Sequence, residues 1–355
     1  MNRTPKRLLV VATVVAAVAT TAGCAAGSST TASGGVAKPI QFSSYCDTTC
    51  QAGLELKGNA NDVDCTIGIS LNSLGHPYGV AQKAAFEAAV RDYFPKMKFV
   101  TTDGQGDAVT QSSQVRDMIT QGIKALVITP LETDSLAPVV KAAKDAGIPV
   151  IDHDRTVSTP VDTFIGADNV QAGRTAAQWV VDKLGSKGGN VVEVQGTLGA
   201  SATIDRHKGM EEVFAENPNV KVVQSVASNY LRADAYTAMK DVLQRFGPGK
   251  IDVVYTQGDE MGLGVTRAIK EAGRESEISV LTFSQPTDDP AKMAELEQLA
   301  ATVVYPLNSP EAIVAAAKAC LGEKLPESVA MKAPVINQAD IRKFLTDNPV
   351  VRAGS

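Results

Sequence analysis

The amino-acid sequence predicts an α/β fold of two lobes, each a doubly wound parallel sheet with helices on both faces. Short apolar runs typical of buried strands alternate with amphipathic segments of helical period along most of the chain. This alternation is typical of parallel sheets whose strands are joined by crossover helices. The chain has 355 residues, which is too long for a single hydrophobic core of ordinary size, so two domains are expected.

The first block of alternating elements follows an N-terminal leader. Its helix over residues 78–94 has apolar residues that recur at helical spacing, and the helix over 107–122 ends in a glycine. The predicted strands of this block cover residues 65–71, 98–101, 125–129 and 148–151, and the predicted helices cover residues 78–94, 107–122 and 135–146.

The second block begins with a short strand over 163–165 and a long helix over 169–184. Six or more strand–helix units in two blocks exceed one ordinary sheet, which supports two lobes. Pro310 lies in the first turn of the last long helix, where its missing N–H costs nothing. The other predicted strands cover residues 190–194, 220–226, 251–255, 279–283 and 300–304, and the other helices 202–215, 233–246, 260–272, 310–321 and a terminal segment over 338–346.

The N-terminus has the pattern of an export signal. A basic start precedes the apolar run 8–22, which is short for a membrane span and typical of a signal peptide over 1–23. Residues 21–24 (TAGC) resemble the lipobox of bacterial lipoproteins, which implies a lipid on Cys24 and an anchor on the outer face of the cytoplasmic membrane. Residues 25–38 are rich in Ser, Thr, Ala and Gly, so we expect a lipid-anchored flexible leader over 24–61.

Four cysteines follow Cys24. An even count in an exported protein favours disulfides, and Cys46, Cys50, Cys65 and Cys320 allow three connectivities. A local Cys46–Cys50 bridge is the first expectation, which leaves Cys65 to pair with Cys320. A metal site is the alternative, although no histidine lies near these cysteines.

Residues 146–155 (AGIPVIDHDR) predict a buried strand that ends in polar residues. Ligands of open α/β sheets bind just beyond the carboxyl ends of strands, where Asp154 and Arg155 fall. A carboxylate only accepts hydrogen bonds and a guanidinium only donates them, whereas sugar hydroxyls do both. The pair therefore predicts a binding site for a polyhydroxylated small molecule, and a strand-end salt bridge is the alternative.

Other signals exclude several classes of function. The net charge of −5 gives no indication of a nucleic-acid partner. The glycine-containing turn 196–201 lacks the Lys-Ser/Thr of a phosphate-binding P-loop. No nucleophile elbow, metal pair or Ser-His-Asp set stands out, so neither an enzyme nor a bound metal or other cofactor is expected.

Six motifs in a fixed order carry a resemblance to type I periplasmic solute-binding proteins of the ribose-binding class, which capture sugars for ABC importers. They are residues 130–136 (PLETDSL), 147–155 (GIPVIDHDR), 165–169 (IGADN), 205–209 (DRHKG), 258–264 (GDEMGLG) and 299–302 (LAAT). The same fold occurs in the effector domains of LacI-type repressors.

The resemblance implies a monomer with a ligand cleft between lobes that close over it, and ABC permease and ATPase subunits as partners. It also implies a hinge of three chain crossings, near residue 168, near 305–306 and near 330–334. Lobe one would then contain residues 62–167 and 306–332, and lobe two residues 168–305 and 333–348.

The family's ligand positions also carry over by resemblance. Asp154 and Arg155 match the pair that grips sugar hydroxyls, and Arg206 matches an arginine that closes onto the ligand from the second lobe. Tyr78 and Tyr230 match aromatic residues on the two faces of the sugar ring. A surface arginine and core tyrosines are the alternative interpretations for these three residues.

At four ligand positions this chain departs from the family's usual residue. His76 stands where the family often has Asn, and Gly258 where ribose binders have Asn. Ser284 stands in place of an Asp, and Tyr305 in place of a Gln. These departures argue against ribose itself and leave another pentose, a hexose or a linear polyol as the expected ligand.

Three other functions fit the same fold. A sugar-modifying enzyme would need a catalytic set, and a repressor would need a helix-turn-helix where the signal peptide lies. A receptor for a sugar or signal molecule that feeds chemotaxis or sensing is not separated from import by the sequence.

Overall fold

The computed structural model describes residues 35–287 and 289–347, which form twelve strands and eleven α-helices. The expected signal peptide over 1–23, the lipidation residue Cys24 and residue 348 lie outside these ranges. The strands are β1 (Thr66–Leu71), β2 (Lys98–Asp103), β3 (Ala125–Ile128), β4 (Val150–His153), β5 (Thr163–Ala167), β6 (Gly189–Gln195), β7 (Val220–Ala227), β8 (Val253–Thr256), β9 (Ser279–Ser284), β10 (Ala301–Val304), β11 (Ser328–Met331) and β12 (Val335–Asn337).

The helices pack on both faces of the sheets that these strands form. They are α1 (Thr48–Leu54), α2 (Pro77–Tyr93), α3 (Ala108–Thr120), α4 (Ala137–Asp145), α5 (Asn169–Leu184), α6 (Ser201–Glu216), α7 (Arg232–Arg245), α8 (Asp259–Glu271), α9 (Pro290–Leu296), α10 (Ser309–Cys320) and α11 (Ile341–Asp347). Short 3₁₀ turns cover Ala60–Asp62, Gly185–Lys187 and Gln338–Asp340.

The strands form two six-stranded sheets, which confirms the predicted fold class. Lobe one contains the sheet β11-β5-β4-β3-β1-β2, and all of its neighbours are parallel. Lobe two contains the sheet β12-β10-β9-β8-β6-β7, in which only β12 pairs antiparallel. Most central strands are buried along their whole length, as expected of sheets covered on both faces.

Three chain segments connect the lobes. The first follows β5 at Asp168, the second joins β10 to α10 through residues 305–308, and the third joins β11 to β12 through residues 332–334. Helix α10 packs in the core of lobe one, whereas α11 packs in a core of lobe two. The carboxyl ends of the parallel strands of both sheets face the space between the lobes, where the ligand positions were predicted.

The strand expected over 148–151 begins two residues later, as β4. Gly147 has a left-handed backbone (φ 75°) and donates to the carbonyl of Lys144, and Ile148 donates to that of Ala143. These bonds complete the end of α4, so Ile148 belongs to the helix terminus rather than to the sheet. The short elements α1, α9, β11 and β12 were not predicted, because none is long enough to show a period.

The expectation of a flexible leader over 24–61 is wrong for its second half. Helix α1 begins at the cap residue Asp47, and Leu54 in its last turn is fully buried against lobe one. Ser43 donates its backbone N–H to Glu311 at 2.7 Å, which ties this segment to α10. The polar composition of residues 25–38 does not continue into this segment, which contains the buried residues Tyr45, Cys46 and Cys50.

Both expected disulfides are present in the structure, Cys46–Cys50 and Cys65–Cys320. This pairing excludes the alternative of a metal site at these four cysteines. Within residues 35–287 and 289–347, no helix has both the length and the apolar character needed to span a bilayer.

Candidate functional site

The eight predicted ligand residues line one cavity between the lobes. Most lie just after the carboxyl end of a strand, including Asp154 after β4 and Tyr305 after β10. The lining consists of the predicted residues His76, Tyr78, Asp154, Arg155, Arg206, Tyr230, Ser284 and Tyr305, together with Ala202, Gln257, Gly258, Asp259, Glu260, Phe283 and Gln285.

Asp154 is held in an unusual backbone conformation at the floor of this cavity. Its φ of 65° is left-handed, which Asp tolerates better than most residues, and its N–H donates to Ile165 at 2.9 Å. The Tyr78 hydroxyl lies 3.1 Å from its Oδ1, and the Tyr305 hydroxyl donates to its carbonyl at 3.3 Å. These contacts fix the carboxylate and leave it acceptor sites for a ligand.

Arg155 lies beside Asp154, but the two side chains do not hydrogen-bond to each other. Its Nε is 3.9 Å from Asp154 Oδ2, beyond hydrogen-bond distance, and both side chains are less than a tenth exposed. The Arg155 Nη1 donates to the carbonyl of Leu131 at 3.0 Å, whereas Nε has no hydrogen-bond partner among the described residues. The two residues therefore form an ion pair without a hydrogen bond, and the Arg155 Nε is a buried donor without a partner among the described residues.

Arg206 is buried rather than exposed on the surface of α6. Its guanidinium lies between the rings of Phe283 and Tyr305, 4.3 and 4.4 Å from their centres. Nε donates to Asn169 Oδ1 at 2.9 Å and Nη1 to the carbonyl of Gln257 at 2.6 Å. This excludes the alternative of a surface arginine, and the remaining N–H groups of the five can donate to a ligand.

Close packing of α5 on α6 brings Arg206 into the site. A Cβ at Gly173 would lie 2.4 Å from the Arg206 carbonyl, and one at Gly209 would lie 2.1 Å from that of Val170. Both glycines are therefore required for the two helices to approach. This explains why a residue that the helical pattern places near the start of a surface helix is only 4% exposed.

The ring of Tyr230 occupies space that is free because residue 258 is a glycine. A Cβ at Gly258 would lie 2.9 Å from the Tyr230 ring, so the asparagine expected there from the resemblance does not fit beside it. The Tyr230 hydroxyl bonds Thr203 Oγ1 at 2.9 Å, and Arg155 lies 5.3 Å from the ring centre. Tyr78 and Tyr230 are both half-buried on the cavity wall, which disfavours the alternative of core tyrosines.

Ser284 lines the cavity, but its hydroxyl is already engaged. Its Oγ lies 2.5 Å from Thr302 Oγ1 on the neighbouring strand β10. Its carbonyl accepts from the N–H of Tyr305 at 2.7 Å, so Ser284 also fixes the start of the second crossing. The next residue, Gln285, has a buried Oε1 with no hydrogen-bond partner in the described part of the chain.

His76 is neutral and presents a donor. Its Nδ1 accepts from the N–H of Gly79 at 3.0 Å as the cap of α2, so the ring proton lies on Nε2. Burial, together with the positive charge of Arg155, lowers the pKa of His76 to about 4. The ring is therefore uncharged at neutral pH.

Charged residues from lobe two form a cluster of ion pairs at the cavity wall. Lys292 lies 3.2 Å from Asp259 Oδ2, and Arg232 Nε lies 2.6 Å from Glu260 Oε2. Burial alone would raise the pKa of Glu260, but hydrogen bonds from Arg232 and Lys292 lower it. Glu295 also pairs with Arg232 at 2.9 Å. Each of these ions therefore has a partner within the protein, with three carboxylates for two cations.

Sequence reasoning missed five polar or aromatic members of the lining. They are Gln257, Asp259, Glu260, Phe283 and Gln285. Gln257 and Gln285 directly follow strands β8 and β9 and Phe283 lies near the end of β9, so the rule that located Asp154 would also have located these three, whereas Asp259 and Glu260 begin the helix α8.

Comparisons with known proteins identify the family of the chain. A family model described as a periplasmic binding protein domain matches residues 67–324. The chain is 41% identical over 179 residues to the xylitol-binding protein of Mycolicibacterium smegmatis, and the match covers 50% of this chain and 51% of that protein. The chain thus matches about half the length of this relative.

Two further matches cover more of the chain. It is 34% identical over 246 residues to the ribose import binding protein of Bacillus subtilis, across 69% of this chain and 77% of the relative. A solved ABC transporter solute binding protein from Mycobacterium smegmatis, with bound glycerol, superimposes with a TM-score of 0.72 at 29% identity. That superposition covers 79% of this chain and 97% of the other.

Proposed function

Because the chain belongs to the periplasmic binding protein family, we propose that it captures a monosaccharide or polyol between its lobes and delivers it to an ABC importer. One observation carries the proposal. The cavity between the lobes places a fixed carboxylate, Asp154, beside two arginines whose hydrogen-bonding capacity is not exhausted, Arg155 and Arg206. Hydroxyl groups donate and accept at once, so they satisfy both kinds of group.

The rest of the lining supports a neutral, hydroxylated ligand. The rings of Tyr78 and Tyr230 supply apolar surface for the C–H faces of a sugar. The carboxylates of Asp259 and Glu260 are paired with Lys292 and Arg232, so neither requires a cationic ligand as its partner. The relatives named for xylitol and for ribose support the same class of ligand.

We also propose how the protein is placed and what it does with its ligand. The segment 1–23 serves as a signal peptide, and Cys24 carries a lipid that anchors a monomer outside the cytoplasmic membrane. The similar proteins are named for what they bind rather than for a reaction, so capture without turnover is proposed. Permease and ATPase subunits would then be its partners.

A thermal-shift screen of the purified chain tests the ligand class. Xylitol, D-ribose, L-arabinose, D-galactose and myo-inositol serve as probes, and D-ribose 5-phosphate serves as a charged control. A ligand at 1,000 times its Kd stabilises the folded state by about 4 kcal/mol, so at least one neutral probe should raise the melting temperature. No shift from any neutral probe, or a shift only from the phosphate, contradicts the proposal. Chemical change of the bound probe would contradict the absence of turnover.

Cell fractionation tests the anchor. We expect the unsubstituted protein in the membrane fraction and the Cys24→Ser variant released or retained as uncleaved precursor. Membrane-bound, mature Cys24→Ser protein contradicts lipidation at this residue.

A further inference from the structure

Gln285 lines the ligand cavity and carries an unsatisfied acceptor. Its Oε1 is buried and has no hydrogen-bond partner among residues 35–287 and 289–347, and the residue belongs to the cavity lining. A buried amide oxygen without a partner is unfavourable, and native structures rarely retain one without a reason. A group that enters the cavity with a hydrogen-bond donor removes this cost.

The backbone around Gln285 is fixed on both sides. It directly follows β9, whose last residue Ser284 bonds Thr302 through its hydroxyl and accepts from Tyr305 through its carbonyl. Pro286 follows, which restricts Gln285 to extended backbone conformations. The amide therefore starts from a rigid strand end at the cavity wall.

The hydroxyl of the neighbouring Ser284 does not take over the role of the Gln285 acceptor. Ser284 occupies the position where the resembled family has an aspartate, but its Oγ is only 2.5 Å from Thr302 Oγ1. The acceptor without a partner therefore lies one residue after the position of the family's aspartate, and it is a neutral amide rather than a carboxylate. This shift changes both the charge of the acceptor and its place on the wall.

We propose that Gln285 is a specificity-determining residue, whose Oε1 accepts a hydrogen bond from one particular hydroxyl of the bound sugar or polyol. The proposal rests on the proposed function above and extends it to a position that the sequence motifs do not mark. A site that is built to bond a hydroxyl discriminates against the analogue lacking it, because the buried acceptor is then left unpaired. Gln285 therefore selects ligands by the presence and configuration of that hydroxyl.

A cycle of protein and ligand changes tests this role. The parent probe is whichever of xylitol, D-ribose, L-arabinose, D-galactose and myo-inositol shifts the unsubstituted protein most, and it is compared with its monodeoxy analogues by calorimetry. Gln285→Met keeps the side-chain length and removes its polarity, and Gln285→Leu is a second apolar variant. Gln298→Met, on an exposed residue outside the cavity, is the matched control.

We expect Gln285→Met to bind the parent probe at least about tenfold more weakly than the unsubstituted protein does. For one deoxy analogue, we expect the variant and the unsubstituted protein to have about the same affinity. Its unliganded melting temperature should stay the same or rise, because a buried unpaired acceptor has been removed. Equal weakening toward every analogue, or unchanged affinity for all of them, overturns the role of Gln285. If no probe binds the unsubstituted protein, the proposed function itself fails, and this inference with it.

Discussion

The hydroxyl of Tyr305 donates a hydrogen bond to the backbone carbonyl of Asp154 at 3.3 Å. The same oxygen accepts from the side chain of Asn169 at 3.1 Å. Tyr305 begins the second crossing, Asp154 directly follows strand β4 of lobe one, and Asn169 begins the first helix of lobe two. One hydroxyl therefore connects a hinge segment to both lobes.

Tyr305→Phe removes this connection and keeps the ring that stacks on Arg206. A hydrogen bond contributes about 0.5–1.5 kcal/mol, so the closed state should be less stable and the ligand should dissociate about 2–10-fold faster. Stopped-flow dissociation of the best probe measures the effect. Tyr236→Phe removes a hydroxyl bond to Glu271 outside the cavity and is the control. Equal dissociation rates in the two variants would show that this hydroxyl does not hold the lobes together.

Asp154→Asn separates the charge of this residue from its backbone conformation. Asn also tolerates the left-handed region, so the variant should fold normally while binding weakens by at least about tenfold, since the charged acceptor is lost. Asp154→Ala should show the same weakening and a lower melting temperature, because alanine in this conformation costs about 1–2 kcal/mol. Calorimetry with thermal melts compares the two. Near-native affinity of Asp154→Asn would remove this carboxylate from the site.

The sequence located the ligand-site residues that follow strands, but it did not reveal the hydrogen-bond partners of the site residues. Asp154 and Arg155 follow a recognisable strand, so their position at the carboxyl edge of a sheet could be predicted. The contacts of Arg206 with Asn169 and Gln257 join residues 37 and 51 positions apart, and no local pattern encodes them. The burial of Arg206 depends on how closely two helices approach, which sequence spacing does not reveal.

The packed segment before β1 was missed for a related reason. Its polar composition is typical of a tether, yet Leu54 and Cys50 are buried because α10 and β11 offer it a surface. Composition describes what a segment prefers in isolation. The available surface depends on the rest of the fold, which the segment's own residues do not specify.

Arg206→Ala should destabilise the protein even without ligand. The structure places the side chain against two aromatic rings, and the guanidinium donates two hydrogen bonds to residues of lobe two. Its removal leaves Asn169 and the Gln257 carbonyl without a donor, a loss of about 2–4 kcal/mol. Unliganded melts should show a fall of about 5 °C or more. Arg174→Ala, which breaks an exposed pair with Glu212, should change stability by less than about 1 kcal/mol. Similar melts for the two variants would contradict the buried role.

The two disulfides should differ in their effect on stability. Cys65–Cys320 closes a loop with a sequence separation of 255, whereas Cys46–Cys50 spans only 4. From chain entropy, the first should stabilise the folded state by about 5 kcal/mol and the second by about 2 kcal/mol. Chemical denaturation of the Cys65→Ser/Cys320→Ser and Cys46→Ser/Cys50→Ser variants measures the difference. Labelling of the unreduced, denatured protein should find no free thiol at these four positions, and two or more reactive thiols would contradict the pairing.

Asp152 should make stability depend on pH. It is 1% exposed in β4, its Oδ2 accepts from the N–H of Val157 at 3.0 Å, and burial raises its pKa to about 7. The folded state therefore keeps a proton that the unfolded chain releases near pH 4. The folded state binds more protons between pH 4 and 7, so this residue's contribution to stability decreases as the pH rises through that range.

Asp152→Asn removes this titration. Relative to the unsubstituted protein, the variant should gain stability as the pH rises from 5 to 8, by at most about 4 kcal/mol, because a shift of three pKa units corresponds to that energy. His76 contributes with the opposite sign, since burial lowers its pKa and its contribution is lost as the pH falls through 6.5 toward 4. That contribution is common to both proteins and cancels in the difference. Urea denaturation of both proteins at pH 5, 6, 7 and 8 measures it, and a difference that does not vary with pH contradicts a protonated Asp152 in the folded state.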